Sequence, residues 1–221
     1  MKRTTVLQEL KTADGSTLTL VERDAEYAIR VNGRELMSTR HAFSEEQLGV
    51  VACQKQRQNA CVLVGGLGLG FTLRAALASL GPDARVVVAE LIPEVVAWNR
   101  NAAYPLAAAA LSDPRTEVVL GDVADVIANS ENRFDAIMLD ADNQTTRMNT
   151  AGNSSLYQSA GLAMVWRALR PRGTVVYWSA GEEPLFAKRL AASGFVVAVQ
   201  RVRKHPSGGG HHVLLVGRRR A

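Results

Sequence analysis

Features that several protein classes require are scarce in this chain of 221 residues. Its two cysteines, Cys53 and Cys61, form no CxxC motif and have no paired histidines, so the sequence indicates neither a zinc site nor a redox motif. Two cysteines are also too few for a disulfide scaffold. No apolar run reaches the ~18 residues that span a bilayer, and residues 1–5 lead into alternating residues instead of an apolar signal core. We therefore expect a cytoplasmic protein with no metal and no membrane contact.

Acidic residues are absent after Glu183, although the whole chain carries a net charge of +5. The first 183 residues contain 18 basic and 21 acidic residues, whereas the remainder contains eight bases and no acid. A pI of about 9.6 would suggest nucleic acid if the charge were spread evenly, but most of the chain is mildly acidic. Aromatic residues, which would form a stacking platform, make up only 5%. We expect no nucleic-acid partner, and keep binding through the basic C-terminal strands as an alternative.

The first forty residues alternate between apolar and polar side chains. Asp14-Gly15 and Asn32-Gly33 interrupt the alternation, and both dipeptides favour hairpin turns because they tolerate positive φ. This pattern predicts a small antiparallel β unit over residues 4–38. The segment Ser44–Gln47 then matches a capping box, with Ser44 as N-cap of a helix that runs towards Arg57. We divide the chain into a small β unit at 1–43 and an α/β domain at 44–221.

From residue 60 onward, apolar runs alternate with stretches of helical period. The apolar runs predict buried strands at 61–64, 86–89, 118–120, 136–139 and 174–177. The helical stretches lie near 71–80, 93–103, 122–129, 155–170 and 183–193. This alternation predicts a parallel sheet with helices on both faces. Two final strands, 195–203 and 211–217, are joined by the short link 206–210 and must be antiparallel. We predict a Rossmann-like, mostly parallel seven-stranded sheet with one reversed strand.

A glycine loop follows the first buried strand and precedes a helix. Gly66, Gly68 and Gly70 allow the backbone to approach a ligand closely, and a helix N-terminus offers free N–H groups. Phe71 stands where a dinucleotide fingerprint needs its last glycine, and the Lys-Ser/Thr of a phosphate-binding loop is absent. The loop therefore favours a nucleoside without pyrophosphate. A tight strand–helix turn with no ligand is the alternative.

Carboxylates follow the next strands at the same expected edge of the sheet. Glu90 ends the second strand, where a carboxylate can accept hydrogen bonds from both ribose hydroxyls, or else only forms a salt bridge. Asp122 follows the third strand and can bind an adenine amino group or cap the next helix. Asp140 ends the fourth strand, and Asp142 points the same way if the chain stays extended. Paired carboxylates suit a general base or a cation anchor, with solvated loop acids as the alternative.

Together these segments resemble the spermidine synthase-like branch of the class I S-adenosylmethionine-binding transferases. The resemblance implies that Gly66, Gly68, Gly70 and Glu90 hold the nucleoside of S-adenosylmethionine or its decarboxylated form. It further implies that Asp122 holds adenine. The resemblance also implies a catalytic or positioning role at the attacking amine for Asp140, and Asp142 belongs to the same segment. The matching segments are the N-terminal β unit, the Ser44–Glu46 helix start, 65–70, Glu90, 121–122, 140–143, 156–157, 169–173 and the reversed last strand.

Three departures from that family's pattern bear on the reaction. Gly68 stands where spermidine synthases carry an aspartate, and Gln47-Leu48 replaces a Tyr-His pair. The segment after Asp140 also differs from the family's diamine-site sequence. We therefore expect transfer of a methyl or aminopropyl group to a small acceptor, an amine above all, and doubt authentic spermidine synthesis. We expect a homodimer, and keep a catalytically silent scaffold and an NAD-dependent dehydrogenase as alternatives.

Overall fold

The computed structural model describes residues 4–140 and 155–221. Its N-terminal part is an antiparallel sheet in the order β1-β2-β3-β4, which confirms the predicted β unit. The strands are β1 (Thr5–Lys11), β2 (Thr17–Arg23), β3 (Glu26–Val31) and β4 (Arg34–Ser38).

Turns with positive φ connect these strands. Asn32 and Gly33 have φ of 49° and 79°, as the Asn-Gly signal predicts. A further turn at Asp24 and Ala25 has φ of 57° and 60° and was not predicted, because alanine rarely adopts the left-handed region. The strands on either side of the turn, β2 and β3, are paired antiparallel, with Glu22 opposite Tyr27 and Leu18 opposite Val31. This pairing imposes the conformation on Ala25.

The second sheet has seven strands in the order β10-β11-β9-β8-β5-β6-β7. Neighbouring strands from β7 to β9 are parallel, whereas β11 is antiparallel to both β9 and β10. The predicted fold class, a mostly parallel seven-stranded sheet with one reversed strand, is therefore confirmed. The strands are β5 (Cys61–Gly65), β6 (Arg85–Glu90), β7 (Thr116–Leu120), β8 (Phe134–Asp140), β9 (Leu169–Ser179), β10 (Val196–His205) and β11 (Gly208–Arg218).

The predicted link 206–210 is shorter than expected. Only Pro206 and Ser207 form the turn, and Gly208 already pairs with His205 in the β10–β11 ladder. The three glycines, 208–210, belong to β11 and all have positive φ. Glycine composition alone suggested a loop, but the pairing of β10 continues through these residues.

Helices cover both faces of the second sheet. They are α1 (Phe43–Cys53), α2 (Phe71–Ser79), α3 (Pro93–Arg100), α4 (Ala108–Leu111), α5 (Val123–Ala128), α6 (Ser159–Ala168) and α7 (Pro184–Ala192). The predicted helices are present with shorter ends, and α4 was missed because a four-residue helix has no detectable period. No helix among the described residues is long and apolar enough to span a membrane.

The predicted capping box at Ser44 is wrong. The N-cap of α1 is Ala42, and no side chain caps this helix. Ser44 lies inside the first turn and is buried, with its Oγ 2.9 Å from Nδ1 of His212 on β11. The hydroxyl therefore joins α1 to the reversed strand instead of binding its own helix.

Two apolar clusters lie on opposite faces of the second sheet. One combines α1, α2 and α3 with buried residues of the N-terminal sheet, including Leu18, Leu20 and Ile29. The other contains α5, α6 and α7. Since the N-terminal sheet shares its core with α1 and α2, it covers the region where the glycine loop enters α2.

Candidate functional site

A cavity opens at the carboxyl edge of the central strands, where ligands of open α/β sheets bind. Its volume is about 1170 Å³ including the solvent-filled mouth. The floor comprises the ends of β5, β6 and β8 together with the glycine loop. Leu18, Ile29, Leu36 and Met37 of the N-terminal sheet form an apolar wall, and Leu48 of α1 extends it.

The glycine loop has the backbone conformation that its sequence predicts. Gly66, Gly68 and Gly70 have φ of 88°, 53° and 78°. The Gly66 N–H donates to the carbonyl of Ala89 at 2.8 Å, and a Cβ on Gly66 would meet no atom within 4 Å. Gly66 therefore exposes its backbone towards the cavity without a side chain in the way.

At the other two loop glycines, in contrast, neighbouring side chains lie where a Cβ would be. A Cβ on Gly68 would lie 2.7 Å from Sδ of Met37, and one on Gly70 would overlap Cβ of Ala107. The buried side chain of Asn99 in α3 donates to the carbonyl of Gly68 at 2.8 Å. The glycine loop therefore lies against Met37 of β4 and Ala107 before α4, and a hydrogen bond joins it to Asn99 of α3.

Glu90 lies at the end of β6 and lines the cavity, although it is only 7% exposed. Its Oε2 accepts from the N–H of Leu67 at 2.8 Å, and its Oε1 accepts from the N–H of Ile92 at 2.9 Å. Burial raises the pKa of Glu90, while these backbone donors lower it. Among residues 4–140 and 155–221, no Lys, Arg or His lies within ion-pair distance of Glu90, so these residues supply no partner for the alternative of a salt-bridged strand end.

Asp122 caps a helix and also lies at the cavity, the two positions that the sequence allowed for it. It is the N-cap of α5, and its Oδ1 accepts from the N–H of Ala124 at 2.8 Å. It also lines the cavity beside Gly121, which has φ of 156°. A carboxylate accepts several hydrogen bonds, so helix capping and binding of a ligand amino group do not exclude each other. Its role towards adenine stays a prediction.

Asp140 ends β8 and lines the same cavity. The hydroxyl of Tyr157 donates to its backbone carbonyl at 3.2 Å. Tyr157 packs against Tyr177 and Phe186, with ring centroids 5.2 and 5.4 Å away, and also lines the cavity. Asp142, predicted as a second catalytic carboxylate, lies outside the described residues.

Sequence reasoning missed Glu45 as a residue of the site. Glu45 lies in the first turn of α1 and lines the cavity that Asp140 also lines. Burial and the negative charge of Asp140 raise the pKa of Glu45 to about 8, with a smaller contribution from Glu46. Acidic residues in a first helical turn are common because they favour the helix dipole, so the sequence carried no separate signal for a site.

Charge is unevenly distributed around the cavity. Four carboxylate side chains line it, those of Glu45, Glu90, Asp122 and Asp140. Within residues 4–140 and 155–221, the lining contains no Lys, Arg or His. The arrangement favours a cationic ligand, because several carboxylates around one low-dielectric cavity attract positive charge. No three His, Cys, Asp or Glu residues in the described ranges are grouped so as to hold a metal ion.

Comparisons with known proteins find sequence similarity to spermidine synthases and polyamine aminopropyltransferases. A family profile described as the spermine/spermidine synthase domain matches residues 40–203. Two curated polyamine aminopropyltransferases, from Thermoanaerobacter sp. and Thermoanaerobacter pseudethanolicus, are 36% identical over 80 residues. That match covers 36% of this chain and 28% of each relative, so the chain spans under a third of their length.

Solved structures show the same fold. A spermidine synthase in complex with the transition-state analogue AdoDATO has a TM-score of 0.74 and 19% identity, over 96% of this chain and 72% of that one. The spermidine synthase from Thermotoga maritima has a TM-score of 0.76 and 18% identity with the same coverage. A probable spermidine synthase from Corynebacterium glutamicum has a TM-score of 0.65 and 18% identity, over 97% of this chain and 80% of that one.

Proposed function

Because the chain belongs to the spermine/spermidine synthase family, we propose that it transfers an aminopropyl group from decarboxylated S-adenosylmethionine to an amine. The observation that carries this proposal is the cavity itself, which has four carboxylates and no cationic side chain among its described lining residues. Both substrates of such a transfer are cations, a sulfonium and an ammonium. A cavity of this charge attracts both.

The donor would bind through its nucleoside. Glu90 is held by the N–H groups of Leu67 and Ile92, and its remaining acceptor capacity would bind the ribose hydroxyls. Asp122 would accept from the adenine amino group beside the backbone of Gly121. Gly66 would let the loop backbone approach the nucleoside, because it places no side chain over the cavity.

The chemical step would be an in-line displacement at the carbon attached to the sulfonium. The acceptor nitrogen forms a new C–N bond, the C–S bond breaks, and methylthioadenosine leaves as a neutral thioether. The acceptor must reach the carbon as a free amine, and the product loses its extra proton to a base. Asp140, at the end of β8, is the carboxylate that we assign to orient the amine and accept that proton.

The acceptor itself is proposed to differ from that of authentic spermidine synthases. On the donor side, Gly68 provides no carboxylate for the aminopropyl end of decarboxylated S-adenosylmethionine, and the Sδ of Met37 would lie 2.7 Å from a Cβ at this position. Gln47-Leu48 also replaces the Tyr-His pair of such enzymes. The acid at the α1 side of the cavity is instead Glu45. Methyl transfer from S-adenosylmethionine is the competing reaction that Gly68 would permit.

Titration calorimetry tests the proposal. Decarboxylated S-adenosylmethionine and methylthioadenosine are expected to bind. S-adenosylmethionine is expected to bind at least 10-fold more weakly, because its α-carboxylate would enter a negatively charged cavity. Absence of binding by all three ligands would refute the assignment. Tighter binding of S-adenosylmethionine than of its decarboxylated form would favour methyl transfer.

The basic C-terminal section bears on the alternative functions. The guanidinium of Arg219 donates to the carbonyls of Trp166 and Leu169 and lies 5.4 Å from the ring centroid of Trp166. Arg189 donates to the carbonyl of Tyr157 at 2.8 Å. Some of these bases therefore have structural partners, which weakens the case for a nucleic-acid surface. A homodimer and a cytoplasmic location stay predictions, and a catalytically silent scaffold stays the alternative.

A further inference from the structure

A polar side chain lies among the apolar residues that α3 buries. Asn99 is 0% exposed, and the other buried residues of this helix are Val95, Val96 and Trp98. Its Oδ1 accepts no hydrogen bond from any residue within 4–140 and 155–221. A buried acceptor without a donor is unfavourable, so an asparagine here is expected to do something that an apolar residue could not.

The amide nitrogen of Asn99 shows what that role is. Nδ2 donates to the carbonyl of Gly68 at 2.8 Å and to the carbonyl of Val95, one turn earlier in α3, at 2.9 Å. Reversing the amide would place Oδ1 against these two carbonyl oxygens, so the two bonds define its orientation. Asn99 therefore uses both of its N–H groups, and one of them joins α3 to the glycine loop.

Gly68 is held on both sides of its backbone. Its carbonyl binds Asn99, which is not itself a lining residue of the cavity. Its N–H faces Glu90, because burial raises the pKa of Glu90 and backbone donors that include the Gly68 N–H lower it. Gly68 has φ of 53°, and glycine occupies several backbone regions at little cost. Its conformation therefore depends on these two partners and not on a side chain of its own.

We infer that Asn99 is a positioning residue for the nucleoside, which holds the Gly68 peptide so that the glycine loop and Glu90 keep their arrangement. The inference rests on the proposed function, because it concerns the same nucleoside site. Without the Asn99 N–H, the Gly68 carbonyl would be a buried acceptor lacking a donor, and rotation towards the cavity would relieve this. A carbonyl oxygen turned that way would repel the carboxylate of Glu90.

Asn99→Leu removes the donor and keeps the number and branching of the side-chain heavy atoms. Titration calorimetry of the full chain with methylthioadenosine is expected to show binding at least 10-fold weaker than in wild type. Asn129→Leu is the matched control. Nδ2 of Asn129 also donates to a carbonyl four residues earlier, that of Asp125 at 2.9 Å, but Asn129 is exposed and contacts no part of the glycine loop. This control is expected to bind within about twofold of wild type.

Asn99→Asp gives a readout that a purely structural role would not move. A protonated carboxyl group can donate its O–H to the Gly68 carbonyl, whereas a carboxylate only accepts and repels that oxygen. Burial raises the pKa of a carboxyl group, so the change of state is expected between about pH 8.5 and pH 5.5. Relative to wild type at the same pH, the affinity of Asn99→Asp for methylthioadenosine should recover about fivefold or more over this interval. Asn99→Leu cannot ionise, and its ratio to wild type should stay constant.

Circular dichroism first establishes that each variant is folded at both pH values. Affinity of a folded Asn99→Leu within twofold of wild type would overturn the inference. A ratio of Asn99→Asp to wild type that does not change with pH would also overturn it, since packing alone would then explain the loss. If Asn99→Leu does not fold, the pH series of Asn99→Asp decides. Failure of wild type to bind methylthioadenosine and decarboxylated S-adenosylmethionine would overturn the proposed function instead.

Discussion

Oε2 of Glu90 accepts a hydrogen bond from the backbone N–H of Leu67 at 2.8 Å, which joins the end of β6 to the glycine loop. The second oxygen accepts from the N–H of Ile92 at 2.9 Å. One buried carboxylate therefore organises both the loop and the start of α3. The residue proposed to bind ribose is also the residue that shapes the loop beneath it.

The first prediction concerns Glu90→Gln. The amide retains only one acceptor oxygen, so either Leu67 or Ile92 loses its partner, and the negative charge towards ribose disappears. Affinity for methylthioadenosine is expected to fall 10- to 100-fold, since hydrogen bonds to a charged group contribute about 1.5–3 kcal/mol. Titration calorimetry measures the change. Exposed Glu94→Gln, in the first turn of α3, is the control and should bind like wild type. Unchanged affinity in Glu90→Gln would contradict this role.

The second prediction uses the contact between Gly68 and Met37. Gly68→Asp places a Cβ 2.7 Å from Sδ of Met37 on a backbone with φ of 53°. The variant is expected to lose about 1–3 kcal/mol of stability, mainly from strain at positive φ and in smaller part from displacing the flexible end of the Met37 side chain. In Met37→Ala/Gly68→Asp, part of that loss should be recovered relative to Met37→Ala alone. Chemical denaturation of all four proteins gives the coupling energy. Additive effects would show that Met37 does not restrict position 68.

The third prediction concerns Asp135 at the opposite edge of the sheet. This buried carboxylate accepts from Arg57, from Arg170 and from the backbone N–H of Cys61. Asp135→Ala removes the partner of the Cys61 N–H and of two guanidinium groups that stay partly exposed to water, so it is expected to cost about 1–3 kcal/mol. Denaturant unfolding measures the loss, and exposed Asp125→Ala should change stability by less than about 1 kcal/mol. A change below 1 kcal/mol in Asp135→Ala would show that these hydrogen bonds do not stabilise the start of β8.

The fourth prediction is a pH dependence that comes from His212. Burial is the main cause that lowers its pKa to about 4 from an ordinary value of 6.5, and Lys204 and His41 add smaller effects. Its ring contacts Ser44 and lies edge-on to Trp178. Between pH 6.5 and pH 4 the unfolded chain binds a proton at this residue and the folded chain does not. Stability from His212 is therefore present above pH 6.5 and is lost as the pH falls towards 4.

The corresponding measurement compares unfolding free energies at pH 7 and pH 4.5. Wild type is expected to lose about 1 kcal/mol more than His212→Gln over this interval, a value reduced for solvent screening because the ring is only partly buried. Exposed His211→Gln serves as the control and should follow wild type. If His212→Gln loses as much stability as wild type, then His212 does not titrate in this window.

Much of the fold followed from local sequence patterns. Period-two alternation before residue 40 and alternating strand and helix patterns after residue 60 predicted both sheets and the reversed strand, because each pattern reports which side of an element is buried. Ser44 shows the limit of such reasoning. Its sequence context favours a cap, but His212, distant in the chain, occupies the hydroxyl. A tertiary partner of this kind leaves no mark in the neighbouring residues.

The sequence likewise predicted some residues of the candidate site and missed others. Glu90, Asp122 and Asp140 were found because each ends or follows a predicted strand, and strand ends meet at one edge of a parallel sheet. Glu45 and Met37 reach the cavity from a helix start and from the N-terminal sheet. Their positions depend on how those elements pack over the glycine loop, which periodicity does not specify.

We propose that the acidic cavity binds the substrates of an aminopropyl transfer to an amine. The most direct test is mass spectrometry of products after incubation with decarboxylated S-adenosylmethionine and a panel of mono-, di- and polyamines. Parallel reactions contain S-adenosylmethionine instead. We expect an aminopropylated amine together with stoichiometric methylthioadenosine, and neither product from S-adenosylmethionine. A methylated product from S-adenosylmethionine, with no aminopropylated amine under matched conditions, would contradict it.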